Sequence, residues 1–380
     1  MDIYDQLSLI LIKNDCSFIK DLFFFTKNKN YNSILLLDIL PFISLILYES
    51  NTFLNKNILN IEKIIPQNTN NSYSIKDVRL KLKLFTDTTP KNIRMIKNIE
   101  YINDRYFKEL DGTLSYKNIG IYTDKNKNII GNTHLAYFFC QFEELKTIKL
   151  KELKEIYNTK ILKHNDMETY SLNYGFYLGQ LASFFNEILI DFPSNIVHYK
   201  DINYRIQYQD FNTFRDTKIF PIDENERITK LYILHLLSMV NSILYFLKPI
   251  IYENLLVLIK FEYIVYYYVV KSLNSLYKYL EKNNLINSKI IKYYNKFNLN
   301  NKDLFNSDFR SCMMHYGFKN PKNNEPIINI KLDLPYFGLI EHFFNMNISD
   351  FEYELHNNLT NISNILKTWL NLPLENTKLL

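Results

Sequence analysis

Apolar residues recur at helical spacing along most of this chain. In the C-terminal third, Ile228, Leu231, Tyr232, His235 and Met239 follow one another every three or four positions, which is the period of one buried helix face. Asp223 followed by Glu226 is typical of a helix start, and Pro249 predicts the end of that helix. Further apolar stripes predict helices over 252–282, 288–297, 304–318, 336–344 and a last one ending near residue 369. The pattern predicts an up-and-down bundle of helices over residues 223–380.

The N-terminal region, residues 1–192, is also mainly helical in its pattern, but its role does not follow from the sequence. A helix over 34–47 is apolar on most sides, and Pro41 inside it predicts a kink or a break at Leu40. Further helices are predicted over 75–85, 92–110 and 167–190. Between them, short β-type pieces flank a polar turn and predict a small β hairpin near 113–130. Residues 193–222 are polar and aromatic, alternate in places, and are interpreted as a linker or surface insertion.

The composition narrows the class of protein without indicating a function. The 380 residues are 47% hydrophobic, enough for a sizeable core, and include 30 Tyr and 28 Phe but only 7 Gly. Because Tyr, Phe, Asn, Lys and Ile share AT-rich codons, this skew is typical of a low-GC genome and does not by itself indicate a nucleic-acid surface. The net charge of +5 is spread along the chain, so it permits an RNA partner and does not require one.

Three distant cysteines, Cys16, Cys140 and Cys312, favour a reducing compartment. The first residues lack a basic leader, and the apolar charge-free run Leu231 to Leu247 falls short of the ~20 apolar residues of a membrane span. We therefore expect a cytoplasmic protein without a membrane partner. The sequence contains no Gly-rich phosphate loop, no Gly-x-Ser-x-Gly elbow and no His or Cys pair at zinc-binding spacing. We accordingly predict neither a cofactor nor a metal.

One short stretch combines residue types that suit chemistry: Asp308 to Gly317, with Arg310 and His315 five positions apart. Metal-independent RNA cleavage needs a proton-transfer group, which histidine can provide near neutral pH. It also needs stabilisation of the charge that develops on the phosphate, which a guanidinium provides. On an ideal helix the two side chains would lie about 140° apart. We expect Asp308 to cap this helix and so to place Arg310 in its first turn.

Arg310 is followed by a polar residue, Ser311, and after a few further positions by His315. Two long predicted helices precede this motif and one follows it. This arrangement resembles the signature of the HEPN superfamily. That resemblance covers about 223–372. It implies a helical bundle and a metal-independent endoribonuclease whose two copies pair in a homodimer with a composite site. Arg310 and His315 would be catalytic, with Ser311 orienting them, although Asn, Asp or His is more usual there. It also implies an RNA substrate, a toxin or abortive-infection role in antiviral defence, and room for a partner protein or antitoxin.

Three other residues are candidates for supporting that site: Asp308, Tyr316 and Glu262. Glu262 lies in a very apolar helix, so its carboxylate needs a partner, either Arg310 or a lysine. Two alternatives stay open. The chain could be a catalytically silent helical module that binds RNA, nucleotide or a partner protein, or a structural protein in which the motif is coincidental.

Overall fold

A computed structural model describes residues 2–29, 32–57, 96–97, 100, 117–135, 164–195, 197–252, 255–300, 303–319, 323, 325–327, 335–372 and 378–379. In these ranges the protein is mainly helical with a small antiparallel sheet, which confirms the predicted fold class at that level. The helix predicted over 75–85 lies outside the described residues, as does nearly all of the one predicted over 92–110.

Three long helices form the described N-terminal part: α1 (Ile3–Thr26), α2 (Asn32–Asn57) and α3 (His164–Ile188). α2 runs uninterrupted through Pro41, so the helix does not break at Leu40. A Cβ added to Gly179 of α3 would lie 3.3 Å from the ring of Phe23 in α1. Glycine therefore lets these two helices approach closely.

The predicted hairpin is present. Strands β1 (Ile119–Thr123) and β2 (Ile129–Asn132) pair antiparallel around a turn in which the Asp124 side chain accepts the backbone N–H groups of Asn126 and Asn128. The predicted insertion after α3 contributes strands as well. β3 (His198–Tyr199) pairs with β5 (Ile251–Tyr252), and β4 (Gln207–Phe211) joins the hairpin to β6 (Lys378–Leu379), giving the sheet order β2–β1–β4–β6.

The C-terminal part is built from helices close to those predicted: α4 (Glu224–Asn241), a π-helical turn (Ser242–Leu247), α5 (Lys248–Ile250), α6 (Leu255–Lys282), α7 (Ser288–Asn300), α8 (Ser307–Met314), α9 (Pro335–Phe344) and α10 (Ile348–Leu370). The Asp223 carboxylate accepts the Glu226 N–H and caps α4 as expected. The helical run Glu224–Ile250 is long and apolar enough to cross a membrane, and 83% of its apolar 18-residue segment is buried inside the protein. A buried core helix has the same properties.

Helices of the two predicted regions share one continuous core. Asp15 of α1 forms a buried ion pair with Lys260 of α6, and Ser8 of α1 bonds the backbone that follows α8. The N-terminal helices therefore pack directly against the part of the bundle that carries the Arg310–His315 motif.

Candidate functional site

The start of α8 is fixed by Asn306, and this corrects the prediction for Asp308. The Asn306 side chain accepts the backbone N–H groups of Asp308 and Phe309, each at 2.9 Å, so Asn306 is the N-cap and Asp308 lies inside the first turn. The Tyr263 hydroxyl holds the same point from α6. It lies 3.0 Å from the carbonyl oxygens of Leu304 and Asn306 and 3.2 Å from the Asn306 nitrogen. Arg310 is thus near the helix start, as expected, although the capping residue is Asn306 and not Asp308.

The end of α8 brings Arg310 and His315 together. The helix stops at Met314, and His315 has left helical geometry with φ −95° and ψ 11°. The side chains are therefore not held at the angular separation of about 140° that an ideal helix gives. Nη1 of Arg310 lies 3.5 Å from Nε2 of His315. The side chains of the two motif residues are therefore within hydrogen-bond range of each other.

A third residue completes this group, and it comes from the N-terminal region. Oε2 of Glu49, in α2, lies 2.7 Å from Nδ1 of His315. The Glu49 side chain is only 4% exposed, whereas that of His315 is 44% exposed. A carboxylate on Nδ1 selects the tautomer that carries its proton there. Nε2 is then the basic nitrogen, and it lies beside the guanidinium.

Two tyrosines of α6 surround Arg310. Nη2 of Arg310 lies 3.3 Å from the Tyr268 hydroxyl, and its guanidinium carbon is 5.9 Å and 6.0 Å from the ring centres of Tyr267 and Tyr268. Such distances allow cation–π attraction. The arginine is therefore oriented by α6 on one side and by His315 on the other.

Beneath the exposed histidine lies a buried polar cluster of Asp15, Lys260, Tyr316 and Ser50. The Tyr316 hydroxyl donates to Asp15 at 2.7 Å and lies 2.9 Å from the Ser50 hydroxyl, while the Lys260 ammonium is paired with Asp15 and stands 4.1 Å from the centre of the Tyr316 ring. Burial lowers the pKa of Lys260, and the Asp15 carboxylate opposes that shift. Burial raises the pKa of Tyr316 well above its usual value, and Asp15 adds to the increase.

The other predicted site residues lie apart from this group. In the described contacts Ser311 reaches His315 only through its backbone, as its carbonyl accepts the His315 N–H at 3.0 Å. Glu262 has a lysine partner, one of the two options predicted. Its Oε1 lies 2.9 Å from Nζ of Lys248 and 3.5 Å from Nδ1 of His356. This makes Glu262 part of a second polar cluster, and none of its described contacts reaches Arg310 or His315.

Sequence reasoning missed Glu49, although a signal for it exists. A carboxylate in a helix as apolar as α2 needs a partner, which is the argument that singled out Glu262. Within the described ranges, no three His, Cys, Asp or Glu side chains are grouped so that they could hold a metal ion.

The comparisons with known proteins add no relative. The chain matches no family model, no curated protein and no solved structure.

Proposed function

We propose that this protein is a metal-independent endoribonuclease whose site consists of Arg310, His315 and Glu49. The observation that supports it is the chain of contacts from the buried Glu49 carboxylate to the half-exposed His315 imidazole and on to the Arg310 guanidinium. A carboxylate-oriented histidine beside a permanently charged group is the minimum needed for proton transfer at a phosphodiester.

The reaction uses each group in one role. Nε2 of His315 accepts the proton of an RNA 2′-hydroxyl, the 2′-oxygen attacks the adjacent phosphorus, and the bond to the 5′-oxygen breaks. The products are a 2′,3′-cyclic phosphate and a 5′-hydroxyl, and the leaving 5′-oxygen receives its proton from a second proton-transfer group. Arg310 stabilises the negative charge on the phosphoryl oxygens during attack. Glu49 keeps the ring in the reactive tautomer and stabilises the imidazolium formed in the first step.

A second copy of the chain would supply the second proton-transfer group. We place the exposed His315 of each copy at a shared cleft, where one imidazole removes a proton and the other protonates the leaving oxygen. The resemblance to HEPN proteins underlies this homodimer, and it also underlies the proposed role as a cytoplasmic defence toxin held in check by a partner protein or antitoxin.

The test is RNA cleavage in EDTA by purified protein, followed by analysis of the product ends. His315→Ala and Arg310→Ala should each abolish cleavage and leave the far-UV circular dichroism spectrum unchanged. His198→Ala and Arg205→Ala are matched controls, because both are exposed residues of the same types outside the group. Cleavage that persists in both motif variants would refute the proposal.

One observation favours a second candidate, an RNA-binding module without catalysis. Nη1 of Arg310 lies within hydrogen-bond range of Nε2, the atom that must accept the proton. If that contact persists with RNA bound, the site holds a phosphate without cleaving it. RNA binding with a steep salt dependence and intact RNA after long incubation would identify this case.

A further inference from the structure

Tyr316, the residue after the histidine, has a backbone conformation that tyrosine seldom adopts. Its φ is +55°, in the left-handed region, which costs a bulky side chain of order 1–3 kcal/mol unless its surroundings impose it. The helix end explains the geometry. The Gly317 N–H donates to the Cys312 carbonyl at 2.9 Å, which closes the last turn of α8. Glycine usually occupies the left-handed position of such a turn, yet here Gly317 comes one residue later.

The strained residue is held from several sides. Its side chain is 1% exposed, and its hydroxyl contacts Asp15 of α1 and Ser50 of α2. Its carbonyl accepts the Ser8 hydroxyl at 2.5 Å, and the Lys260 ammonium lies over its ring. Two parallel links therefore join α2 to the end of α8: Ser50 to Tyr316 inside the core, and Glu49 to His315 at the surface.

The buried contact between Ser50 and Tyr316 can hold in place the more exposed contact between Glu49 and His315. The His315 side chain is 44% exposed, so water competes with the buried Glu49 carboxylate for the imidazole and this contact alone holds the ring weakly. Tyr316 is buried, adjacent in sequence, and bonded to the residue next to Glu49. Its position fixes the backbone from which the His315 side chain departs.

We propose that Tyr316 is a positioning residue: its hydroxyl, clamped between Asp15 and Ser50, holds Nδ1 of His315 on the Glu49 carboxylate. The inference rests on the proposed function, since positioning affects a rate only if His315 transfers the proton. The proposal also assigns a role to the N-terminal helices, because α1 supplies Asp15 and α2 supplies Ser50, the two partners of the Tyr316 hydroxyl.

The chain offers a matched control in Tyr336. This tyrosine is 2% exposed, and burial together with the Asp15 charge raises its pKa, as for Tyr316. Its hydroxyl, however, makes no hydrogen bond within the part of the chain that the structure describes. Tyr316→Phe and Tyr336→Phe thus remove the same atom from equally buried rings. Only Tyr316→Phe removes hydrogen bonds, those to Asp15 and Ser50.

Two readouts decide the question. In ¹⁵N-labelled protein, the Nδ1 proton of His315 should give a downfield hydrogen-bonded signal, identified by its loss in His315→Ala. Tyr316→Phe should broaden or abolish that signal and lower the rate of RNA cleavage about 10- to 100-fold, the effect of displacing a reacting group by up to about 1 Å. Tyr336→Phe should keep the signal and stay within twofold of the wild-type rate.

The outcomes separate the two proposals. If wild-type protein does not cleave RNA, the proposed function fails, and the Nδ1 signal still tests whether Tyr316 positions the ring. If Tyr316→Phe retains both the signal and the rate, or if Tyr336→Phe loses them equally, the positioning role is overturned. Should Tyr316→Phe not fold, Ser50→Ala removes one of the two clamps and should cause a smaller loss of the same signal, while an unchanged signal would count against the role.

Discussion

Replacing Lys260 by Met should show how strongly the N-terminal helices are coupled to the bundle. Lys260 is 0% exposed and Asp15 is 5% exposed, and their ion pair joins α6 to α1. In Lys260→Met the Asp15 carboxylate stays in the core with the Tyr316 hydroxyl as a donor but without its counter-charge. Asp15→Asn creates the complementary defect, a buried ammonium facing a neutral amide.

The magnitude follows from the burial of both groups. Removing one partner of a buried ion pair costs about 3–5 kcal/mol of unfolding free energy, because an uncompensated charge stays in the core. We expect about 3 kcal/mol or more for Lys260→Met. Asp15→Asn should cost less, because burial already lowers the pKa of Lys260, so its ammonium can lose its proton when the carboxylate is absent. The double variant contains neither the buried ammonium nor the buried carboxylate. Its loss should be no larger than that of Lys260→Met alone. The coupling energy is then at least the loss caused by Asp15→Asn, which we expect to be about 2 kcal/mol.

Urea unfolding followed by circular dichroism at pH 7 measures the four free energies of this cycle. The Lys97–Glu224 pair is the control, since its Nζ and Oε2 are 2.7 Å apart but both side chains are about half exposed. The cycle of Lys97→Met and Glu224→Gln should give at most about 1 kcal/mol. A coupling energy between Lys260 and Asp15 no larger than that of the control would refute the reasoning.

Three further predictions concern single residues. Glu49→Gln keeps a hydrogen-bond acceptor but loses the charge that fixes the His315 tautomer, so single-turnover RNA cleavage should slow on the order of 10²- to 10⁴-fold; a rate within threefold of wild type would contradict this role. Burial lowers the pKa of His134 to about 3. Below about pH 6.5 the unfolded chain therefore binds a proton that the folded chain does not, and the free energy of unfolding decreases as the pH is lowered. His134→Leu should reduce that fall by about 1.4 kcal/mol per pH unit in urea unfolding between pH 6.5 and 4.5, and parallel curves would exclude it. Asn306→Ala should cost about 1 kcal/mol through the lost cap, and Asp308→Ala under about 0.5 kcal/mol; equal losses in urea unfolding would contradict the assignment of the cap.

The helices were predictable where local sequence decides their ends. Asp223 caps α4 because its carboxylate accepts the N–H of Glu226, three residues later, as the spacing predicts. At α8 the stretch Asn306-Ser307-Asp308 contains three side chains able to cap. The choice among them depends on the Tyr263 hydroxyl, which holds the backbone of Asn306 from another helix. A tertiary contact of this kind leaves no mark in the spacing of α8, so the predicted cap was two residues late.

The candidate site shows the same division between local and tertiary information. Arg310 and His315 are local to each other, and their proximity follows from a helix that ends at Met314, four residues before the predicted end at residue 318. Glu49 lies 266 positions before His315, and no periodicity relates the two. What the sequence does hold is a need: a carboxylate in an apolar helix requires a partner. Glu262 meets that need with Lys248, and Glu49 meets it with His315. The rule was applied to Glu262 only, and it does not identify the partner of either carboxylate. The arginine is the distinguishing feature, because the histidine that pairs with Glu49 has its second ring nitrogen 3.5 Å from the Arg310 guanidinium.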